Sequence, residues 1–238
     1  MNRSWFVTGT DTGVGKTTVA AALLRQFSAR GLTTVGMKPV ATGCRLEGGL
    51  WVNDDAALLA SHSSLPVEGY GKGGGAGGPP VPWSWINPYA FEPPIAPHIA
   101  AGEAGEEIRF DVIEGALQQL RSRADIVVVE GAGGFRVPLG PDGDTADLCR
   151  ALRLPVILVV GMRLGCINHA LLTAESVLSR GLALAGWVPN QLDPEMPVFE
   201  QNLATLLREI PAPCLGLSPF RSEEGSALPD LETGRLQQ

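Results

Sequence analysis

Short apolar runs alternate along this chain with amphipathic stretches. Trp5–Thr8, Thr33–Met37, Ile126–Val129, Val156–Val160, Leu184–Val188 and Cys214–Leu217 are apolar on both faces, the pattern of buried strands. Between them, Lys16–Ala29, Asp55–Ala60, Asp111–Arg121, Thr145–Leu152, Asn168–Arg180 and Val198–Glu209 are predicted as helices. Buried strands separated by helices predict an α/β fold, a mainly parallel sheet with helices on both faces. Crossovers in such a sheet are right-handed, and ligands gather beyond the carboxyl ends of its strands. The segments Thr8–Thr17, Lys38–Cys44, Glu130–Val137 and Pro189–Gln191 each follow a strand, so all four are expected along one sheet edge.

The first of these segments carries the most specific chemistry. An apolar strand runs into Gly9-Thr10-Asp11-Thr12-Gly13-Val14-Gly15-Lys16-Thr17, and a good helix former, Val19 to Leu24, follows. Glycines let backbone N–H groups close around phosphate oxygens, and the helix points its positive end at them. Lys16 reaches the outer phosphates, and the Thr17 hydroxyl suits Mg²⁺. Gly31 stands where the helix should stop. The fold expectation is therefore P-loop NTPase-like. Five residues separate Gly9 from Gly15 where the common loop has four, so the loop is a variant, like that of the nitrogenase iron protein and the partitioning ATPases. Many of those ATPases carry a second lysine five positions before the main one; here that position is Asp11.

Composition narrows the class. With 238 residues and 45 % hydrophobic content, a sizeable core is within reach. A single domain over 1–220 is expected, with a tail over 221–238. The run Gly69-Tyr70-Gly71-Lys72-Gly73-Gly74-Gly75-Ala76-Gly77-Gly78-Pro79-Pro80 reads as a surface insertion spanning about 69–82. A net charge of −7 with scattered lysines and arginines speaks against a nucleic-acid surface. Cys44, Cys149, Cys166 and Cys214 form no paired spacing, which fits reduced thiols in a cytoplasmic protein. The chain enters a strand at once, so no signal peptide is expected. The longest apolar run, Leu154 to Val160, is too short to cross a bilayer.

Nucleotide chemistry needs carboxylates for Mg²⁺. Val127-Val128-Val129-Glu130-Gly131-Ala132-Gly133-Gly134 puts Glu130 at the end of a buried strand, followed by small residues that leave room for phosphate. Asn53-Asp54-Asp55 opens a short helix and offers another carboxylate; a plain N-cap explains it too, and the residues alone do not separate Asp54 from Asp55. Lys38 closes the second strand, before Pro39 and Thr42-Gly43. A cation at that edge suits a carboxylate, a carbamate or a transferring phosphoryl group.

Together, Gly9–Thr17, Lys38-Pro39-Val40-Ala41-Thr42-Gly43 and Val129–Gly134 resemble the dethiobiotin synthetase family. Asn87-Pro88-Tyr89-Ala90-Phe91 with Pro97-His98, Leu164 to Ala170, and Ala185 to Asn190 agree, so the likeness runs from Phe6 to about Phe220. It implies a homodimer that closes a cyclic urea from 7,8-diaminopelargonic acid, CO₂ and ATP with Mg²⁺, in biotin synthesis. Carried over by position, Gly13, Val14, Gly15, Lys16, Thr17 and Thr18 take the phosphates, and Gly131, Ala132 and Gly133 lie on the ATP side. Thr17, Asp55 and Glu130 take Mg²⁺, which selects Asp55. Lys38 takes the catalytic role with Lys16 assisting. Thr42 falls on a substrate-contacting hydroxyl, and Asn190, Gln191, Ser218, Pro219 and Phe220 fall on the adenine side. Arg163–Asn168 opens a helix whose N-terminus suits the substrate's distant carboxylate, and the likeness sends it, with Asn168, to the neighbouring subunit's site.

Some positions depart from the family pattern. Gly13 replaces a glutamate of some members, Phe135-Arg136 replaces an aromatic or aliphatic pair, and the Gly-rich insertion is additional. His62, His98 and His169 are expected in structural roles, because a free amine takes up CO₂ without a base. Two rivals fit less well. A cobyrinic acid a,c-diamide synthase requires a glutaminase unit that this length does not supply. A partner- or DNA-binding ATP switch gives no reason for Lys38.

Overall fold

The computed structural model describes residues 3–70, 79–221 and 227–236. Five strands, β1 (Arg3–Gly9), β2 (Thr34–Met37), β3 (Ile126–Glu130), β4 (Val156–Met162) and β5 (Leu184–Gln191), form one parallel sheet in the order β5-β4-β1-β3-β2. β1 is central, with Val7 beside Ile157 of β4 and Trp5 beside Val128 of β3. The five principal helices are α1 (Lys16–Ala29), α2 (Asp54–His62), α3 (Phe110–Arg123), α4 (Cys166–Ser179) and α5 (Phe199–Glu209). Among the described residues no helix is long and apolar enough to cross a membrane.

Strand alternation divides the core in two. Trp5, Val7, Val128, Ile157 and Val159 pack with Val19, Leu23 and Phe27 of α1. Phe6, Val127, Val129, Leu158 and Val160 face the other way, toward Ile113 and Leu117 of α3 and Ala170 and Val177 of α4. Both layers exclude water, which is why the strands read as continuous apolar runs. Trp5 stacks on Phe27 with centroids 5.3 Å apart. At Gly36 a Cβ would come within 2.7 Å of the Leu59 Cβ and 3.0 Å of a Leu24 methyl, so glycine lets β2 lie close under α1 and α2.

Most predicted elements form, with boundaries shifted by one to three residues. Cys214–Leu217 does not become a sixth regular strand. It lies along β5 with only two isolated bridges, Trp187 to Cys214 and Asn190 to Ser218. Pro189 accounts for the gap, because it has no N–H to give. The Leu215 carbonyl accepts instead from the Glu232 N–H at 2.6 Å. The helices Trp83–Ile86 and Pro97–Glu103 and the parallel pair Val40–Thr42 with Tyr89–Phe91 were not anticipated; each is too short to show a period.

Residues 227–236 return to α1, where Leu231 is buried in the layer holding Leu23 and Phe27. Arg25 donates to the Leu228 and Pro229 carbonyls at 3.2 Å and pairs with Asp230 at 2.8 Å. Of the Gly-rich insertion, residues 71–78 lie outside the described residues. On either side of it, Val67 bridges both Tyr70 and Val81, and the Tyr70 ring packs on Trp83.

Candidate active site

The carboxyl edge of the sheet opens into a cavity of about 920 Å³. Thr12, Gly13, Gly15, Lys16, Thr17 and Thr18 line it from the phosphate loop, Lys38 from the end of β2, Asp55 from α2, and Glu130 and Gly133 from β3 and the turn after it. Asn190, Gln191, Pro219 and Phe220 close the far side. The four post-strand segments therefore do converge, as a doubly wound sheet requires.

The loop is held by backbone geometry. Gly15 precedes α1 at φ +91, and a Cβ there would sit 2.3 Å from the Asn190 amide nitrogen. That amide donates to the Val14 carbonyl at 2.9 Å, so the end of β5 buttresses the loop. The Val14 side chain is buried beneath the loop, where it fills the space beside Gly9 and Gly161. α1 has no side-chain cap, so its first turn presents backbone N–H groups to whatever occupies the loop.

Four side chains then form one network. The Thr17 hydroxyl lies 2.8 Å from Asp55 Oδ1 and 3.0 Å from Glu130 Oε1. Lys38 Nζ donates to Asp55 Oδ2 at 2.8 Å and to Glu130 Oε1 at 2.7 Å. Glu130 is fully buried, and its Oε2 has no hydrogen-bond partner among the described residues. Burial drives the Glu130 carboxyl upward despite the opposing Lys38 charge. Burial also works against the Lys38 ammonium, but Glu130 and Asp55 together outweigh it and hold its pKa above the ordinary value. For Asp55, burial pushes up while the charge and hydrogen bond of Lys38 pull down more strongly. Burial, then the Lys38 charge, lowers Lys16 to about 8; its ammonium donates to the Asp11 carbonyl at 2.9 Å.

Geometry now separates the neighbouring aspartates: Asp55 joins this network, while Asp54 forms an ion pair with Arg45. Asn53 is the helix cap, its side chain accepting from the Asp55 and Ala56 N–H groups.

Other expected residues lie away from the cavity. Gly131 and Ala132 line a small apolar pocket beside Phe6 and Leu139. Ser218 is fully buried; its backbone bonds to β5, and its hydroxyl has no partner among the described residues. Thr42 is half-buried, and its carbonyl accepts from Asn53; Asn168 is exposed in the first turn of α4. Arg136 pairs with Asp144, the residue that caps the helix Thr145–Ala151.

A family model described as an AAA domain matches residues 3–70 and 76–224. The ATP-dependent dethiobiotin synthetase BioD of Nitrosospira multiformis is 53 % identical over 220 residues, covering 92 % of this chain and 89 % of the relative. That of Aromatoleum aromaticum is 52 % identical over 217 residues, covering 91 % and 90 %. The chain belongs to the dethiobiotin synthetase family. Dethiobiotin synthetases are ATP-dependent ligases of biotin biosynthesis, and this chain is therefore an enzyme. Solved structures agree on the fold alone. Septum site-determining protein MinD of Pyrococcus horikoshii, a complex with Mg-ADP, has TM-score 0.57 at 15 % identity, covering 92 % of this chain and 82 % of that one. A ParA family ATPase of Chlorobium tepidum has TM-score 0.52 at 10 % identity, covering 93 % and 86 %.

The cavity has walls that sequence reasoning missed. Leu58 and His62 of α2 line it with Asp54, as do Leu192, Arg221 and Leu228. The spacing of Asp54, Leu58 and His62, four residues apart, was a readable sign of one helix face. His62 Nδ1 lies 3.0 Å from the Leu58 carbonyl, a local bond on its own helix. His98 and His169 are exposed and line no part of the cavity.

Proposed function

We propose that this synthetase converts 7,8-diaminopelargonic acid, CO₂ and ATP into dethiobiotin, ADP and phosphate, as a cytoplasmic homodimer. One substrate amine adds to CO₂, losing a proton and giving a carbamate. A carbamate oxygen attacks the γ-phosphorus and releases ADP. The second amine then attacks the carbamoyl carbon, expels phosphate and closes the ureido ring.

Thr17, Asp55 and Glu130 would hold Mg²⁺. The fit rests on their donor set: a hydroxyl and two carboxylates, all oxygen, with one Glu130 oxygen unpartnered among the described residues. Among the described residues no cluster of three or more His, Cys, Asp or Glu is placed to hold a metal alone. That suits an ion completed by phosphate oxygens and water. Bound there, Mg²⁺ supplies charge neutralisation for the transferring phosphoryl group.

The residues divide the remaining work. The loop N–H groups and Lys16 bind and orient the triphosphate, with Asn190 bracing the loop and Gln191, Pro219 and Phe220 on the base side. Lys38 stabilises the negative charge that grows between carbamate and γ-phosphoryl group. Thr42 and, from the partner subunit, the Asn168 helix start orient the diamine. Lys38 is the observation that carries this reading: a second lysine, 4 % exposed and gripped by two carboxylates at the end of β2. An ATP switch has no use for it.

The test is mass spectrometry of products from purified protein, the diamine, bicarbonate and MgATP. Dethiobiotin and diamine-dependent ADP release are expected together, and omitting bicarbonate abolishes both. Vigorous ATP hydrolysis indifferent to the diamine refutes the reading, and a fully active monomer refutes the shared site.

A further inference from the structure

The phosphate loop is bonded to β4 and to the turn beyond it. The Thr10 N–H donates to the Val159 carbonyl at 3.0 Å, and the Gly161 N–H donates to the Thr10 hydroxyl at 3.2 Å. One step further, the Arg163 guanidinium reaches Asp11 Oδ2 at 2.6 Å. Asp11 is a junction of three bonds. Its Oδ1 accepts from the Thr12 N–H at 2.7 Å, its Oδ2 accepts from Arg163, and its main-chain carbonyl accepts from Lys16 Nζ. The carbonyl that holds the Lys16 ammonium therefore belongs to the residue that Arg163 pins. The residue types match this task. A short carboxylate can close a turn on the next N–H while leaving its second oxygen outward, and a guanidinium reaches that oxygen from a neighbouring loop.

We propose that Arg163 is a positioning residue: through Asp11 it fixes the tip of the phosphate loop and the station of Lys16, and so sets the grip on the outer phosphates. The inference rests on the proposed phosphate role of Lys16. It gives Asp11 a task in place of the second lysine that related ATPases carry there. Arg163 works on the loop, not on the base, so its influence is confined to ligands that extend to Lys16.

The experiment is a double-mutant cycle read by titration calorimetry with MgADP on the full-length protein, beside steady-state kinetics. Asp11→Asn keeps an oxygen for the Thr12 N–H and removes only the charge facing Arg163; Arg163→Gln removes the other half. Each single variant is expected to weaken MgADP binding roughly two- to fivefold, the span of a half-exposed ion pair. The double variant should be no worse than either, and Arg163→Lys should recover most of the loss. In turnover the KM for ATP rises while the unfolding midpoint holds. Additive losses overturn the inference, as do unchanged MgADP affinity in both singles or a rise confined to the diamine KM. A wild-type affinity in Lys16→Ala sinks the phosphate role of Lys16 and this inference with it. A Lys16 effect beside additive Asp11 and Arg163 substitutions sinks this inference alone.

Discussion

Replacing Lys38 with alanine tests the centre of the site through stability as well as rate. Lys38 is bonded to Asp55 and to fully buried Glu130, so the substitution strands a carboxylate whose second oxygen already lacks a partner among the described residues. Breaking a buried pair from one side costs about 3–5 kcal/mol. Thr17 still donates to Glu130, and Asp55 is half-exposed, which favours the lower end, about 3 kcal/mol. The loss should depend on pH with a definite sign. Without Lys38, burial acts on Glu130 with less opposition, so its folded-state pKa rises further above its unfolded value. The folded protein then binds the extra proton, and stability falls as pH rises through that window. Relative to wild type, the variant should be least destabilised near pH 5 and most destabilised near pH 8. Urea unfolding with a metal chelator and no nucleotide measures this. Adding Glu130→Gln to Lys38→Ala should restore much of the loss, since the stranded charge on Glu130 is then gone. Single-turnover rates of Lys38→Ala, independently, should fall about a hundred- to thousandfold, while MgATP affinity changes little. A Lys38→Ala protein as stable as wild type at pH 8, or one losing only ATP affinity, refutes the reasoning.

Other perturbations probe the surroundings. Gly15→Ala forces a side chain into the Asn190 amide at a left-handed backbone angle, so MgADP binding by calorimetry should be abolished while circular dichroism stays native. Because Lys16 titrates near 8 without nucleotide and gains an anionic partner on binding, phosphate binding draws in a proton above that pH. MgADP affinity should therefore decline from pH 7.5 to 9.5, with proton uptake visible as a buffer-dependent enthalpy; a flat profile contradicts the shift. Leu231→Ala should cost about 2–4 kcal/mol in urea unfolding, because it opens a cavity against α1; a change below 0.5 kcal/mol would show that 227–236 adds nothing to the core.

Much of this was legible because the physics is local. The alternation of apolar runs and amphipathic helices gave the parallel sheet, and the glycines before Lys16 marked the sheet edge on which the cavity opens. Asp55 over Asp54 was not legible from the residues, since both occupy the first turn of α2 and only its angle to Thr17 separates them. The irregular course of Cys214–Leu217 was hidden for a similar reason. Its own composition is that of a strand, and the missing donor belongs to Pro189 on another element. The packing of 227–236 depends on Leu231 meeting a helix about two hundred residues earlier, which no short window records. Ser218, carried to the adenine side by the family likeness, is fully buried, which its own sequence neighbourhood does not reveal.

The central place of β1 has a consequence for biosynthesis. Both its neighbours come late in the chain, and the bond between Thr10 and Gly161 spans 151 residues. At roughly 5–20 residues per second, the ribosome leaves the phosphate motif without its flanking strand for about 8–30 seconds. Until β3 emerges both edges of this apolar strand are open, and until β4 emerges one still is, a hazard that parallel sheets share. Nascent chains stalled before β4 should therefore engage chaperones through Trp5–Val7, and nucleotide binding should appear only once β4 and β5 have emerged.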